Sequence, residues 1–153
     1  MTTGDEMQFV VFRVGPQEFG VNIFQVERIL RWQRPATLPE TPDFLEGVVP
    51  YGDGVVPVVD LRKRLGLASP IGEETRLMVL ELERQLVAVI VDQVLEVVRL
   101  DTGTITPPPP MVRGLAAAYI SGLISRPNRT IVLLNAARIL NSEERMALSV
   151  TEA

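Results

Sequence analysis

Residues 44–65 read FLEGVVPYGDGVVPVVDLRKRL, and this stretch decides the fold that we expect. It contains two short Val-rich runs joined by a four-residue turn, a pattern that predicts a β-hairpin. Asp60 follows the second run and Gly66 comes soon after it, which is the order in which an N-cap carboxylate begins a helix and a glycine ends it. The stretch therefore predicts strand, turn, strand and a short helix.

The same pattern returns 75 residues later, where 119–140 read YISGLISRPNRTIVLLNAARIL. Gly122 falls on Gly47, and Asn135 falls on Asp60. Asn135 caps a helix as well as an aspartate does but cannot perform acid/base chemistry, so we interpret Asp60 as a helix cap. At Gly47 and Gly122 we expect a backbone site where no Cβ fits beside a neighbouring strand, the alternative being a binding role.

A second, weaker match places residues 9–31 over 77–99, at a shift of 68 residues. Chance similarity between Val-rich strands is the alternative explanation for both matches. If the matches reflect a duplication, the chain consists of two related halves, at approximately 8–68 and 75–140. A stretch that contains Pro and Gly, residues 68–74, joins the halves.

Short Val-rich runs, punctuated by Gly, Pro or polar pairs, dominate the chain and predict strands rather than long helices. We expect nine strands, at Phe9–Val14, Gln17–Ile23, Gly47–Tyr51, Val55–Asp60, Leu77–Leu82, Leu86–Val91, Val94–Leu100, Ile120–Ser125 and Thr130–Leu134. Short helical segments are expected after the capping residues Asn22, Asp60 and Asn135, with a further cap at Asn141. Strands of this number and spacing are typical of barrels or a sandwich.

The composition excludes most enzyme classes. The 153 residues include no His and no Cys, so the chain cannot build a Ser-His-Asp triad, a Cys-His dyad, a disulfide or a structural zinc site. An enzyme that uses carboxylates such as Asp53 or Asp92 with Mg²⁺ remains as an alternative, but no pair of acids has a spacing that brings it together on one element. We expect no catalysis, no metal and no cofactor.

The charge balance bears on partners and location. With 15 Lys and Arg against 19 Asp and Glu the net charge is −4, which disfavours nucleic acid as a partner. The N-terminal segment 1–7 is acidic and does not resemble a signal peptide, and apolar runs such as 86–91 are far shorter than a membrane span. We therefore expect a cytoplasmic protein without membrane insertion, with flexible termini at 1–7 and 149–153.

The order of the elements resembles that of the CheW-like domain family. The resemblance rests on residues 9–23 (FVVFRVGPQEFGVNI), 26–29 (VERI), 38–49 (LPETPDFLEGVV), 55–62 (VVPVVDLR), 89–94 (VIVDQV), 119–122 (YISG) and 140–144 (LNSEE). The block from 38 to 62 is the most specific. The similarity covers roughly residues 8–148, so we expect a single domain of this type, built from two intertwined subdomains.

The resemblance implies a mainly β fold of two small five-stranded SH3-like β-barrels that pack over a shared apolar core, with short helices. A barrel of about 70 residues is marginal by itself, so two such barrels gain stability by packing together. The implied activity is scaffolding. Members of the family join the regulatory domain of a CheA-type histidine kinase to the cytoplasmic tips of methyl-accepting chemoreceptors, and we expect this chain to be monomeric when isolated and to be recruited to chemoreceptor arrays.

The same resemblance suggests two binding surfaces. The receptor-binding groove is expected to include Val26, Arg28, Ile29, Trp32, Gly52 and Asp53, and the kinase-binding surface Gly47, Val48, Val56 and Pro57. Trp32 is the single tryptophan and is flanked by arginines, so it is either an interface anchor or part of the core. Pro57 within a strand indicates an edge position or a strand start, which would leave that edge open to a partner.

Two positions depart from the family pattern. The family usually has Asn-Leu-Arg-Gly where this chain has residues 50–54, so Gly52 stands at the arginine position, and Arg28 stands where the family usually has Glu. One hypothesis is that Arg28 and Asp53 form the same ion pair with the charges exchanged. The other is a changed partner set, with a different receptor or an adaptor role in a non-flagellar array that serves pili or a cyclic-di-GMP output.

Overall fold

The computed structural model describes residues 6–67, 70–108, 119–141, 143–144 and 146–147. The ten strands in these ranges are β1 Glu6–Val14, β2 Gln17–Asn22, β3 Val26–Arg31, β4 Leu45–Tyr51, β5 Gly54–Val59, β6 Arg76–Leu82, β7 Gln85–Val91, β8 Gln93–Asp101, β9 Ile120–Arg126 and β10 Arg129–Leu134. Helix α1 spans Leu61–Arg64, and short 3₁₀ turns span Ile23–Gln25, Thr102–Thr104 and Ala136–Arg138. The prediction of a mainly β protein with short helices is confirmed.

All nine predicted strands are present, but β3 was missed. Its sequence is VERILR, and its charged side chains obscure the apolar alternation that marks a strand. β3 lies at the edge of its sheet and is mostly exposed, so it has no need of a continuous apolar face. The second repeat contained the missing signal, because it aligns residues 26–31 with 94–99, which lie inside a predicted strand.

The predicted caps are confirmed. The side-chain oxygen of Asp60 accepts a hydrogen bond from the backbone N–H of Arg62 at 3.0 Å, and that of Asn135 accepts one from the backbone N–H of Ala137 at 3.1 Å. Asn22 caps its turn in the same way, through the backbone N–H of Phe24 at 2.9 Å. These side chains satisfy backbone donors that a short helix or turn leaves without a partner.

The strands form two five-stranded sheets with the same internal order. Sheet 1 has the order β8-β1-β2-β10-β9, and sheet 2 has the order β3-β6-β7-β5-β4. Under the shifts of 68 and 75 residues, every strand of sheet 1 coincides with the strand at the same place in sheet 2. Agreement of both matches with the topology supports an internal duplication over chance similarity.

The two halves exchange strands between the sheets. Sheet 1 takes β1 and β2 from the first half but β8, β9 and β10 from the second, and sheet 2 has the complementary set. The predicted halves 8–68 and 75–140 are therefore not separate sheets, because the chain crosses to the other sheet after β2 and again after β7. The parallel pairs β2·β10 and β5·β7 then join strands of different halves.

The predicted terminal boundary also needs correction. Glu6 and Met7 were expected in a flexible segment, but they belong to β1 and pair with Asp101 and Leu100 of β8. The remainder of that segment, residues 1–5, the other predicted flexible terminus at 149–153, and residues 68–69 of the predicted linker lie outside the described residues.

Three apolar clusters hold the sheets together. The largest draws side chains from both sheets and includes Phe12, Phe19, Val59, Met78, Leu80 and Val89. A second lies within sheet 1 and includes Phe9, Val11, Ile131 and Leu133, and a third lies within sheet 2 and includes Val56, Val58, Leu77 and Ile90. The largest cluster is the shared core that the resemblance implied, and it compensates for the small core of each sheet alone.

Each sheet curls until its two edges approach one another. In sheet 2, Ala36, which follows β3, exchanges backbone hydrogen bonds with Val48 of β4 at 2.8 and 2.9 Å. In sheet 1, Thr106, which follows β8, does the same with Leu123 of β9 at 3.0 and 2.8 Å. The duplicated bridges give both sheets the curl of SH3-like subdomains.

Candidate functional site

The two repeat glycines lie directly beside these bridges. A Cβ on Gly47 would lie 2.4 Å from the carbonyl oxygen of Ala36, and a Cβ on Gly122 would lie 2.6 Å from a methyl carbon of Ile105. Gly47 also has a φ of +141°, which disfavours any other residue. The expectation of a backbone site without space for a Cβ is confirmed at both glycines, and Gly47 shapes the edge of sheet 2.

A side-chain cluster bridges the same pair of edge strands at the other end of sheet 2. The hydroxyl of Tyr51 on β4 donates a hydrogen bond to a carboxylate oxygen of Glu27, which raises the pKa of Tyr51 because the bond favours the protonated phenol. The guanidinium of Arg28 lies over the Tyr51 ring, 5.9 Å from its centre. We call Glu27, Arg28 and Tyr51 the seam cluster.

The seam cluster overturns the hypothesis of an exchanged ion pair. None of the ion pairs within the described residues joins Arg28 to Asp53, which is exposed in the β4–β5 turn. The guanidinium of Arg28 instead contacts the ring of Tyr51, whose hydroxyl is hydrogen-bonded to Glu27. Gly52 has a φ of +57°, so its role in this turn is to permit a left-handed backbone rather than to supply a charge.

Val26 and Ile29 form an apolar face on β3. A bulge between Val26 and Arg28 shifts the register, so Val26 pairs with Leu80 and Ile29 with Met78, both of which belong to the shared core. The bulge places the two residues on the same side of the sheet although they are three positions apart. Val26 is half-buried against the core, while Ile29 is 40% exposed. These two members of the predicted receptor groove are therefore brought together.

Trp32 lies apart from the seam cluster. It follows the last residue of β3, packs against the interior cluster of sheet 2 and lines a cavity of about 450 Å³. Four residues of extended chain separate it from Arg28, a distance of about 13 Å. The single tryptophan is thus partly packed into sheet 2, and the six predicted groove residues do not form one continuous patch around it.

The predicted kinase-binding residues are mostly interior. Gly47 and Pro57 are buried, Val56 is only 1% exposed, and Val48 is half-buried. Their burial leaves little side-chain surface for a partner, so these residues support the β4–β5 hairpin from inside. The exposed apolar side chain of this hairpin is Val55, at 61%, which sequence reasoning did not select.

Pro57 does not lie on an edge strand as expected. β5 is the fourth strand of sheet 2, between β7 and β4, and Pro57 pairs with Val48. The parallel ladder to β7 begins only at Val58, immediately after Pro57, because proline has no N–H to donate. The flank of β5 before Val58 is therefore open, although the strand itself is internal.

A buried charge network joins the two sheets and was missed by sequence reasoning. Arg62 lies between two carboxylates: its Nε and Nη2 donate to Asp60 at 2.9 and 3.0 Å, and its Nη1 donates to Asp92 at 3.4 Å. The bonds to Asp60 raise the pKa of Arg62. Asp92 also accepts from the backbone N–H of Gly15, in the β1–β2 turn of sheet 1, at 2.6 Å.

The described residues contain neither a cluster of three potential metal-ligating side chains nor a helix of the length and apolar character needed to cross a membrane. The features that the geometry does present are surfaces: the apolar face of β3, the seam cluster and the exposed β4–β5 hairpin. Such features serve protein–protein contact.

Comparison with known proteins agrees with this description. The model of the CheW-like domain matches residues 8–144. The chain is 33% identical over 148 residues to the chemotaxis protein CheW of Klebsiella aerogenes, covering 96% of this chain and 87% of the relative. It is also 33% identical over 147 residues to protein FrzA of Myxococcus xanthus, covering 94% and 91%.

A solved structure has the same architecture. The crystal structure of the scaffolding protein TtCheW from Thermoanaerobacter tengcongensis aligns with a TM-score of 0.82 and 29% identity, over 92% of this chain and 97% of that one. The family model, the curated relatives and the shared two-sheet fold all cover nearly the whole of the chain. It belongs to the CheW-like domain family.

Proposed function

We propose that this protein is a non-catalytic adaptor that couples the regulatory domain of a CheA-type histidine kinase to the cytoplasmic tips of methyl-accepting chemoreceptors. The observation that carries the proposal is the match of 92% of the chain to a scaffolding protein of the same fold. A fold that is similar over this length to a scaffolding protein, with exposed apolar side chains such as Ile29 and Val55, supports positioning of partners.

The exposed features support two separate contacts. The receptor tip, a helical hairpin, binds at the apolar face of β3, where Ile29 projects beside the half-buried Val26 and close to the seam cluster. The kinase domain binds at the β4–β5 hairpin, where Val55 is exposed above the interior residues Val56 and Pro57. Two surfaces on different edges of one small protein would let it hold both partners at once.

The proposal includes a location. The adaptor is cytoplasmic, monomeric when isolated, and recruited to membrane-associated arrays by its receptor partner rather than by insertion into the membrane. The net charge of −4 supports a protein partner over nucleic acid.

Two apolar-to-charged variants test the two contacts independently. Ile29→Glu should weaken binding to a purified receptor hairpin from the same organism by at least ~tenfold, because a charge is placed within an apolar contact. Val55→Glu should do the same for the purified kinase regulatory domain. Each variant should leave the other partner's affinity within about twofold, as measured by calorimetry.

Val97→Glu is the matched control. Val97 is 51% exposed and is the repeat mate of Ile29 on β8 of sheet 1. It should bind both partners as the unmodified protein does. Absence of binding of the unmodified protein to either partner would overturn the adaptor function, and equal weakening by all three variants would refute the two-surface arrangement.

The second candidate is an adaptor of a non-flagellar array with a changed receptor partner. The observation that favours it is that Arg28 of the seam cluster and Gly52, next to Tyr51, replace the residues that the family usually has at these positions. Capture of the receptor from native cytoplasm, together with swimming assays of a deletion strain, separates the two: a strain that swims up gradients normally indicates the non-flagellar role.

A further inference from the structure

The apolar face of β3, formed by Val26 and Ile29, is followed at the end of the strand by a pair of arginines. Arg31 on β3 lies directly opposite Arg76 on β6 in the antiparallel register. Like charges in directly opposite positions repel one another and destabilise a sheet. Arg76 is held in place, because its Nη1 donates to the backbone carbonyls of Glu73 and Thr75, at 2.9 Å each. Two cations are thus kept side by side at the surface.

Neither arginine has an acidic partner within the described part of the protein. None of the ion pairs there includes Arg31 or Arg76. The other cross-strand arginine pair, Arg126 and Arg129 on sheet 1, is different, since Arg129 binds Glu18 at 2.5 Å and Glu96 at 2.7 Å. The protein neutralises one such pair internally and leaves the other positive.

The duplication supplies an internal reference for Arg31. Its repeat mate is Arg99 on β8, which faces Gln8 rather than a second arginine and has an ion pair with Glu6 at 3.5 Å. The repeat mate of Glu6 is Glu74, which lies before the start of β6 and forms no ion pair with Arg31 in the structure. Sheet 2 therefore has the arginine, a second arginine opposite it and an acid at the matching position that does not pair with either.

An apolar contact lies beside the arginine pair. Ile29 and Arg31 are two residues apart on the same face of β3, a separation of about 6.6 Å. Two side chains at positions i and i+4 of a helix are about 5–6 Å apart. A helix with an apolar residue and a carboxylate in this spacing would cover Ile29 and place its carboxylate between the two guanidinium groups, which bind such groups with two parallel hydrogen bonds.

We propose that Arg31 and Arg76 form an acid-binding subsite at the end of the receptor contact, and that its occupant is a Glu or Asp of the receptor hairpin one helical turn from an apolar residue that packs on Ile29. This inference rests on the proposed adaptor function. The subsite would fix the register of the hairpin on β3, since an apolar face alone allows the helix to slide.

Charge reversal of Arg31 tests the subsite. Arg31→Glu should weaken binding to the purified receptor hairpin by about tenfold, measured by calorimetry at low salt. Arg31→Gln should weaken it less and reduce the dependence of affinity on salt. Arg84→Glu is the matched control, because Arg84 is exposed in the β6–β7 turn at the other end of β6 and the change in net charge is the same. It should bind as the unmodified protein does.

Stability and rescue measurements exclude a folding defect. Arg31→Glu should melt at the same or a higher temperature than the unmodified protein, because it replaces a repulsive pair by an attractive one. Changing the matching receptor acid to Lys should restore binding to Arg31→Glu. If the receptor does not bind the unmodified protein, the adaptor function fails and this inference with it. If it binds, and Arg31→Glu binds within about twofold of the unmodified protein, only the subsite is overturned.

Discussion

The two sheets have one topology but differ at the start of their parallel ladders. In sheet 1, three residues of β10 pair with β2, beginning at Ile131. In sheet 2, only Val58 and Val59 of β5 pair with β7. Pro57 is the repeat mate of Val132. Proline has no N–H to donate, so the parallel pairing of β5 with β7 begins only after it, whereas the pairing of β10 with β2 includes Val132. One copy of the duplicated fold is closed at this end, and the other is open.

Side chains reinforce the closed end in sheet 1. Gln17 donates to the carbonyl of Thr130 at 3.2 Å, and Arg129 binds Glu18, so both contacts join β2 to β10. The residues at the four matching positions of sheet 2 are Gln85, Val55, Gly54 and Leu86. Three of these four are apolar or glycine, and Val55 is exposed. Sheet 1 uses this end for stability, whereas sheet 2 presents it as a surface.

The connections that cross between the sheets show the same division. Asp92, between β7 and β8, is part of the network that fastens Arg62 to the β1–β2 turn. Its repeat mate between β2 and β3 is Phe24, which is 91% exposed. The connection between β7 and β8 is thus hydrogen-bonded to the charge network, whereas the connection between β2 and β3 exposes a large apolar side chain. Duplication allowed each copy to specialise, with binding features gathered on the β3 side of sheet 2.

Removal of Arg62 from the charge network should have the largest effect among the variants that test this difference between the sheets. Arg62→Ala introduces the residue found at its repeat mate, Ala137, and leaves the buried Asp60 and the partly buried Asp92 without the cation between them. We expect a loss of about 3 kcal/mol in the free energy of unfolding, measured with urea. Lys63→Ala is the control, since its ion pair with Glu46 is exposed and contributes about 0–1 kcal/mol. Equal losses for the two variants would refute the role of the network.

Substitution of the two repeat glycines compares how much each backbone bridge tolerates an added methyl group. Gly47→Ala should destabilise the protein by about 2 kcal/mol, because the new methyl group meets a backbone carbonyl and φ is positive. Gly122→Ala should cost less, about 1 kcal/mol, because φ is not positive there and the carbonyl oxygen of Thr106 is 3.1 Å from the new methyl group, although Cγ2 of Ile105 at 2.6 Å must shift. Gly54→Ala serves as the control, because a methyl group at this position has no other atom within 4 Å. A loss for Gly122→Ala as large as that for Gly47→Ala would show that the bridges are equally rigid.

The sequence predicted those parts of the fold that local patterns determine. Alternating apolar residues located nine strands, and Asp60 and Asn135 were identified as caps because capping depends on neighbours two residues away. Intertwined subdomains were expected only from the family resemblance, since no local pattern records which sheet a strand joins. β3 was missed because an exposed edge strand has little apolar periodicity.

The candidate site was predicted less well than the fold. Val26 and Ile29 were predicted to belong to one surface, and they do lie on the same face of β3. Residues three apart in a regular strand would face opposite sides, so it is the bulge at Glu27 that brings them together. Val56 and Pro57 were predicted to bind a partner, but both are buried. A motif identifies a hairpin without indicating which of its side chains face outward. The contact between Arg28 and Tyr51 joins strands that are not paired by backbone hydrogen bonds, so no sequence pattern pointed to it.

Restoring the missing donor at Pro57 sharpens the contrast between the ladders. Pro57→Val should let β5 pair with β7 closer to the hairpin, as Val132 does on sheet 1, and add about 1 kcal/mol to stability. Hydrogen exchange of the backbone amide of Leu86, which faces β5, should slow, whereas that of Val87, which faces β6, should not change. Pro50→Val, on the edge strand β4, should leave both amides unchanged. If exchange does not slow in Pro57→Val, the opening is set by the glycine-containing turn and not by the proline.

Reversal of Arg28 has the smallest effect on stability and the clearest effect on function. The Arg28 guanidinium is exposed, and an exposed contact between a cation and a ring is weak, so Arg28→Glu should change the melting temperature little. Binding to the cognate receptor hairpin should nevertheless weaken, because the charge reverses on the strand that forms the contact. Arg99→Glu, at an exposed position of the equivalent strand in sheet 1, is the matched control. A large stability loss for Arg28→Glu would make the seam cluster a structural clamp, and sheet 2 would then be as firmly closed as sheet 1.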